Sequence, residues 1–201
     1  MGLKHQAEAA RKWRTAIRQV ERHFPVHLPP LMFLTDPNRT PAPSVHIAEL
    51  PNKAGIVFRH FGANDRYVNA QALADICRRE HRPFLIAADP ELAKRVGADG
   101  VHWPESRLGA ARNWRGKFEI QTASAHSRPA IVRAYRMGMD AVFCSTVFPS
   151  ESPSAGRPIG ALKLRLRALQ APLPVYGLGG INAANATSIA AFAGLSGVSL
   201  Q

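Results

Sequence analysis

A chain of 201 residues, 46% of them hydrophobic, is the size of one domain with enough apolar side chains for a real core and no room for a second domain. No run approaches the roughly 20 apolar residues that span a bilayer and no apolar leader opens the chain, so a cytoplasmic protein with no membrane partner is expected. The excess of 26 Lys and Arg over 14 Asp and Glu, a net charge of +12, attracts anions; because the basic residues are scattered and not interleaved with aromatics, small phosphorylated ligands are favoured over specific nucleic-acid binding.

The chain opens with Trp13, Ile17, Val20 and Phe24 at helical spacing, while Arg11, Lys12, Arg14, Arg18 and Arg22 fall largely elsewhere around the helix. This predicts an amphipathic helix, with its linker over residues 1–30, packed on the outside of the domain that follows. From residue 31, short apolar runs alternate with helix-like segments, at 31–35, 56–60, 84–88, 100–103, 118–122, 141–145, 174–178 and 197–200. The runs are too apolar to alternate between inside and outside, as expected of parallel strands covered on both faces. Eight such runs in a single domain over 1–201 favour a (β/α)8 TIM barrel at 31–201; an open doubly wound sheet has the same alternation, and periodicity alone does not separate the two. With no helix after the last run, the first helix is expected to cover the flank that a missing last helix leaves bare.

Two helix starts are marked along the way. Ser127 is placed to cap a helix with Ile131, Ala134 and Tyr135 on one face, ending near Gly138. Asn182 is placed to cap 183–192, with Gly194 just past the end. Cys77 and Cys144 lie inside apolar runs without metal-type spacing and are expected to be buried reduced thiols. Nothing in the sequence specifies an oligomeric state.

In a barrel, chemistry belongs at the C-terminal strand ends. There, Gly177-Leu178-Gly179-Gly180-Ile181-Asn182 lets the backbone approach a ligand and turns N–H groups toward it; a tight turn uses glycine for steric reasons as well. Ser150 and Ser152 offer hydroxyls either to phosphate oxygens or to the loop backbone. Arg59 can fork onto a phosphate or carboxylate. Asp89 is a hard oxygen ligand suited to Mg²⁺, or else the cap of the helix that starts at Pro90.

Leu34-Thr35-Asp36, Gly97-Ala98-Asp99-Gly100-Val101-His102, Ser124-Ala125-His126-Ser127, Val147-Phe148-Pro149 and Gly179-Gly180-Ile181, in this order, resemble the thiamine phosphate synthase and thiazole tautomerase (TenI) family over residues 31–201. The resemblance implies a barrel that takes phosphorylated small molecules. In the synthase, a hydroxymethylpyrimidine pyrophosphate is joined to a thiazole phosphate with Mg²⁺, and pyrophosphate is released. It implies phosphate-binding roles for Ser124, Ser150, Ser152, Gly179 and Gly180, a metal role for Asp89 and catalytic roles for Arg59 and His126, the latter as the tautomerase's proton carrier.

The match has gaps. After the second strand the family's arginine is kept as Arg59, but its pyrophosphate-binding lysine is Phe61; the second metal aspartate falls at about Arg107, near Glu105; a further lysine is Pro153. Electrostatic contacts of this kind are worth about 2.7–4 kcal/mol each. Synthase activity is therefore expected to be severely reduced unless Arg66, Arg107 or Arg157 substitutes. A thiazole tautomerase and a non-catalytic phospholigand-binding barrel are the alternatives.

Overall fold

The computed structural model describes residues 2–62, 64–152 and 155–198. Helix α1 (Gly2–Glu21) precedes β1 (Leu31–Leu34), α2 (Pro43–Ala48), β2 (Ala54–Phe58), α3 (Arg66–Arg79), β3 (Phe84–Ala87), α4 (Pro90–Val96) and β4 (Gly100–Trp103). A 3₁₀ segment (Glu105–Trp114) leads to β5 (Ile120–Ser124), α5 (Arg128–Arg136), β6 (Ala141–Cys144), α6 (Gly160–Gln170) and β7 (Val175–Gly177). A second 3₁₀ turn (Ala186–Ser188) then leads to β8 (Gly194–Gly197). Every strand pairs in parallel with its sequence neighbours, and β1 pairs with β8 through Leu31 and Leu195, so the sheet closes into the expected barrel. Strand residues are buried almost throughout, which is why the runs carry no alternation.

The outer flank is sealed as the apolar stripe predicts. Trp13, Ile17 and Val20 of α1, with Phe24 just beyond it, are buried against β8 and the turn before it. Phe24 meets Tyr176 edge-on at 4.9 Å, and the Tyr176 hydroxyl donates to the Pro29 carbonyl at 2.6 Å, tying α1 and its linker to β7. Both cysteines are buried free thiols.

Three local expectations are corrected. The last strand is Gly194–Gly197, earlier than the predicted 197–200, because pairing with β1 and the 2.6 Å Ser196 hydroxyl bond to the Gly177 carbonyl fix its register; residues 199–201 lie outside those described. No α-helix occupies 183–192. Asn182 Oδ1 does accept from the Ala184 and Asn185 N–H groups, as a cap would, but Ser188, Ile189 and Phe192 then bond to the third residue back (Asn185, Ala186 and Ile189), so no α-helical ladder propagates and a 3₁₀ turn forms instead. Ser127 does cap α5, accepting from the Ala130 N–H at 3.3 Å, and Ile131 and Ala134 are buried, but Tyr135 sits at the edge of that face and is exposed.

Candidate active site at the strand ends

The residues that follow the strands share one end of the barrel. There, a cavity of about 330 Å³ is lined by Arg39, Arg59, Ser145, Thr146, Ser150, Ser152, Gly179 and Gly180, among others. Five of the eight predicted site residues therefore converge: Arg59, Ser150, Ser152, Gly179 and Gly180. Ser124, His126 and Asp89 stand outside the lining.

Gly179 and Gly180 form the floor of this cup with φ of +94° and +66°. A Cβ on Gly180 would lie 2.3 Å from the Pro149 carbonyl oxygen, so only glycine lets the β6–α6 loop close this tightly. The same loop is stitched to β7 by hydrogen bonds from Val147 to Leu178 and from Phe148 to Gly179. Among the described residues, the N–H groups of Gly179 and Gly180 find no protein acceptor, which leaves them for an anion. The Ser150 hydroxyl accepts from the Ser152 N–H at 3.3 Å and so shapes the loop as well as lining the cup.

Arg59 is held rigidly across the cavity. Its Nε donates to the Thr35 carbonyl at 3.2 Å and its Nη2 to Asp36 Oδ2 at 3.3 Å. Asp36 also pairs with Arg39 at 3.5 Å and accepts from the Asn38 and Arg39 N–H groups. Burial opposes ionisation of Asp36, but those backbone donors and the two guanidiniums outweigh it and hold the carboxyl below its ordinary range. Burial lowers the Arg59 pKa, with Asp36 opposing it. One carboxylate thus steadies two guanidiniums at the cup, an anchoring role that nothing in the spacing of Leu34-Thr35-Asp36 marks.

Ser124 is engaged elsewhere. Its hydroxyl lies 3.1 Å from His102 Nε2, whose Nδ1 is 2.9 Å from the Thr122 hydroxyl, forming a buried polar chain between β4 and β5. Burial, reinforced by the charges of Arg59 and His126, pushes the His102 pKa down to about 3, so the ring is neutral and structural. His126 is exposed; its N–H donates to Glu105, and its Nδ1 is 3.3 Å from the hydroxyl of Ser145 on the cavity wall.

Asp89 is committed on both oxygens. Oδ1 caps α4 by accepting from the Leu92 N–H at 2.9 Å, while Oδ2 pairs with Arg66. Arg66 further donates to the Ala87 carbonyl at 3.2 Å, and Arg107 donates to the Ala88 carbonyl at 2.9 Å. Among the described residues no group of three or more His, Cys, Asp or Glu side chains could hold a metal ion. A hard divalent cation needs carboxylate oxygens free to face it, and this corner offers guanidiniums instead. These residues do not fit Mg²⁺.

Residues 31–201 match the family described as thiamine monophosphate synthase. A thiamine-phosphate synthase of Bacillus velezensis is 31% identical over 84% of this chain and 80% of its own. One from Methylobacillus flagellatus is 39% identical over 60% of this chain and 58% of its own. Among solved structures, thiamine phosphate pyrophosphorylase from Pyrococcus furiosus superposes with a TM-score of 0.72 at 26% identity, covering 84% of each chain.

Proposed function

Because the chain belongs to the thiamine monophosphate synthase family, we propose that its barrel mouth joins a hydroxymethylpyrimidine pyrophosphate to a thiazole phosphate and releases pyrophosphate. In that reaction the methylene carbon–oxygen bond breaks, its electron pair leaving with pyrophosphate, and the thiazole nitrogen supplies the pair for the new carbon–nitrogen bond. The observation that carries the reading is the convergence of Arg59, Ser150, Ser152, Gly179 and Gly180 on one cavity. The glycine N–H groups, serine hydroxyls and guanidinium bind the monophosphate dianion, which orients the thiazole ring toward the pyrimidine carbon. Lining the same cup as Gly179 and Gly180, Arg59 serves the monophosphate end of the site.

The test is incubation of the chain with both substrates, following thiamine phosphate. Arg59→Ala should lower kcat/KM about ten- to hundredfold, the scale of one charge-assisted contact. Thiamine phosphate formation at the parent rate in this variant would remove the cup from the mechanism, and no product from the parent chain would favour a phospholigand-binding barrel.

The His126–Ser145 contact favours a second reading, thiazole tautomerisation, in which the imidazole moves a proton through the hydroxyl on the cavity wall. His126→Ala would then abolish isomerisation of the thiazole carboxylate phosphate. Under the synthase reading the same variant keeps most of its condensation rate.

A further inference from the structure

Helix α6 alternates leucine with cations, and the barrel uses only one side of it. Leu164 is fully buried, and Ala161 and Ala168 pack against the core beside it. Leu162, Leu166 and Leu169 are 71%, 51% and 67% exposed, so three large apolar side chains face away from the barrel. Their spacing of four and then three residues is that of successive d, a and d positions in a heptad, a seam one side chain wide that runs along the helix. In the same register Leu164 falls at f, opposite the seam, which is why one leucine holds the helix to the barrel while the others line its outer face. Lys163 falls at e and Arg165 at g, one on each side of the seam; both are exposed, and neither forms an ion pair among the described residues. Arg167 falls at b and turns inward, its Nη1 donating to the Cys144 sulfur at 3.1 Å. The helix carries no Asp or Glu.

We propose that the outer face of α6 docks an amphipathic helix of another protein, one with apolar a and d positions and Asp or Glu at its e and g positions. The charges that flank a heptad seam set which partner pairs with it. Basic on both flanks, this seam fits an acidic helix and works against a second copy of the chain, whose own α6 would set Lys163 and Arg165 against their like and whose net charge is also +12. A membrane surface asks for a broad apolar face that sinks among the headgroups, and a single line of leucines between cations does not supply one. At about 16 Å long, α6 offers a small contact, so the complex is of the transient kind. No α6 residue lines the cup, so the surface does not depend on the chemistry proposed there.

The test uses a synthetic peptide of about four heptads with Leu at a and d and Glu at e and g, titrated against the full chain by fluorescence polarisation at about 0.15 M salt. Binding is expected. A peptide of the same charge with Ser at a and d should bind at least about tenfold more weakly, because scattered charge alone does not hold it. Leu162→Gln combined with Leu166→Gln should weaken the leucine peptide about tenfold or more. Both side chains are exposed, and an unchanged melting midpoint checks that the variant folds. Lys163→Glu combined with Arg165→Glu should turn the preference over to a peptide with Lys at e and g. No binding of the Leu/Glu peptide, equal binding of its serine counterpart, or parent affinity for it in either double variant would each overturn the docking surface. A dimer of the chain that the leucine variant dissolves would give the face to a second copy instead, and adsorption to phosphatidylserine-containing vesicles lost in that variant would give it to lipid; either result overturns the proposal.

Discussion

Burial sets the charge of His102, and that makes a single side chain visible in the stability of the whole chain. The ordinary pKa of 6.5 applies in the unfolded state and about 3 in the folded one. As pH falls through this window the unfolded chain takes the proton first, so stability is full above about 6.5 and declines toward pH 3, by up to about 1.4 kcal/mol per pH unit. His60, also depressed chiefly by burial and with its Nε2 lacking a partner among the described residues, adds in the same direction. Asp36 contributes only further down, as pH falls below its ordinary 3.8. Denaturant unfolding at a series of pH values should therefore show a flatter slope between pH 6.5 and 4 for His102→Asn than for the parent, and equal slopes would refute the assignment. The chemistry of individual residues was only partly legible. Glycines, serines and an arginine at strand ends are informative by type, so the cup was found. The partner of Asp89 lies 23 positions away on the neighbouring connection, and that of Ser124 lies 22 away on the next strand, so neither is set by local spacing.

At the level of elements, the eight strands were readable because burial on both faces leaves unbroken apolar runs, while their ends depend on pairing with a neighbour distant in sequence. The 183–192 segment shows the limit: its apolar content and its capping Asn182 look helical, yet the backbone bonds at Ser188, Ile189 and Phe192 run to the third residue back and leave a 3₁₀ turn. That turn shares the outside of β8 with α1, so the first helix is part of the barrel's core and not an appendage. Trp13→Ala, at a position only 5% exposed, should cost about 3–5 kcal/mol, measured as a shift in denaturation midpoint at unchanged slope. An unchanged midpoint would mean that α1 adds nothing to stability. The connection after β7 makes the opposite kind of demand. Gly180→Ala forces a Cβ against the Pro149 and Phe148 carbonyls in a left-handed backbone, so the loop must shift. Phosphate affinity, read by calorimetry, should fall at least tenfold; parent affinity would show that the cup does not hold the anion.

For the molecule as a whole, the order of short motifs along the chain becomes their order around the barrel, which is why weak motifs together identified the family when none did so singly. The net charge of +12 works differently, because its effect depends on where the charges sit. Several basic side chains are matched locally, as in Lys12 with Glu8, Lys53 with Glu21 and Arg78 with Asp75. Others are spread over α1, with Arg11, Arg14 and Arg18, and α6, with Lys163, Arg165 and Arg167. The Debye length is about 8 Å at physiological salt, so exposed charges scattered around the barrel do not act as one surface there. Charges lining the cup are different: Arg59 is mostly buried and directed by Asp36, and screening reaches it less. Random-sequence DNA should therefore bind weakly, with log affinity falling steeply with log salt and little remaining at about 0.15 M. Over the same range, phosphate affinity should drop far less, because it depends on fixed N–H donors and one held guanidinium. Fluorescence polarisation with labelled DNA, beside calorimetry with phosphate, separates the two. Tight, sequence-selective binding at physiological salt would make nucleic acid the partner that the charge serves.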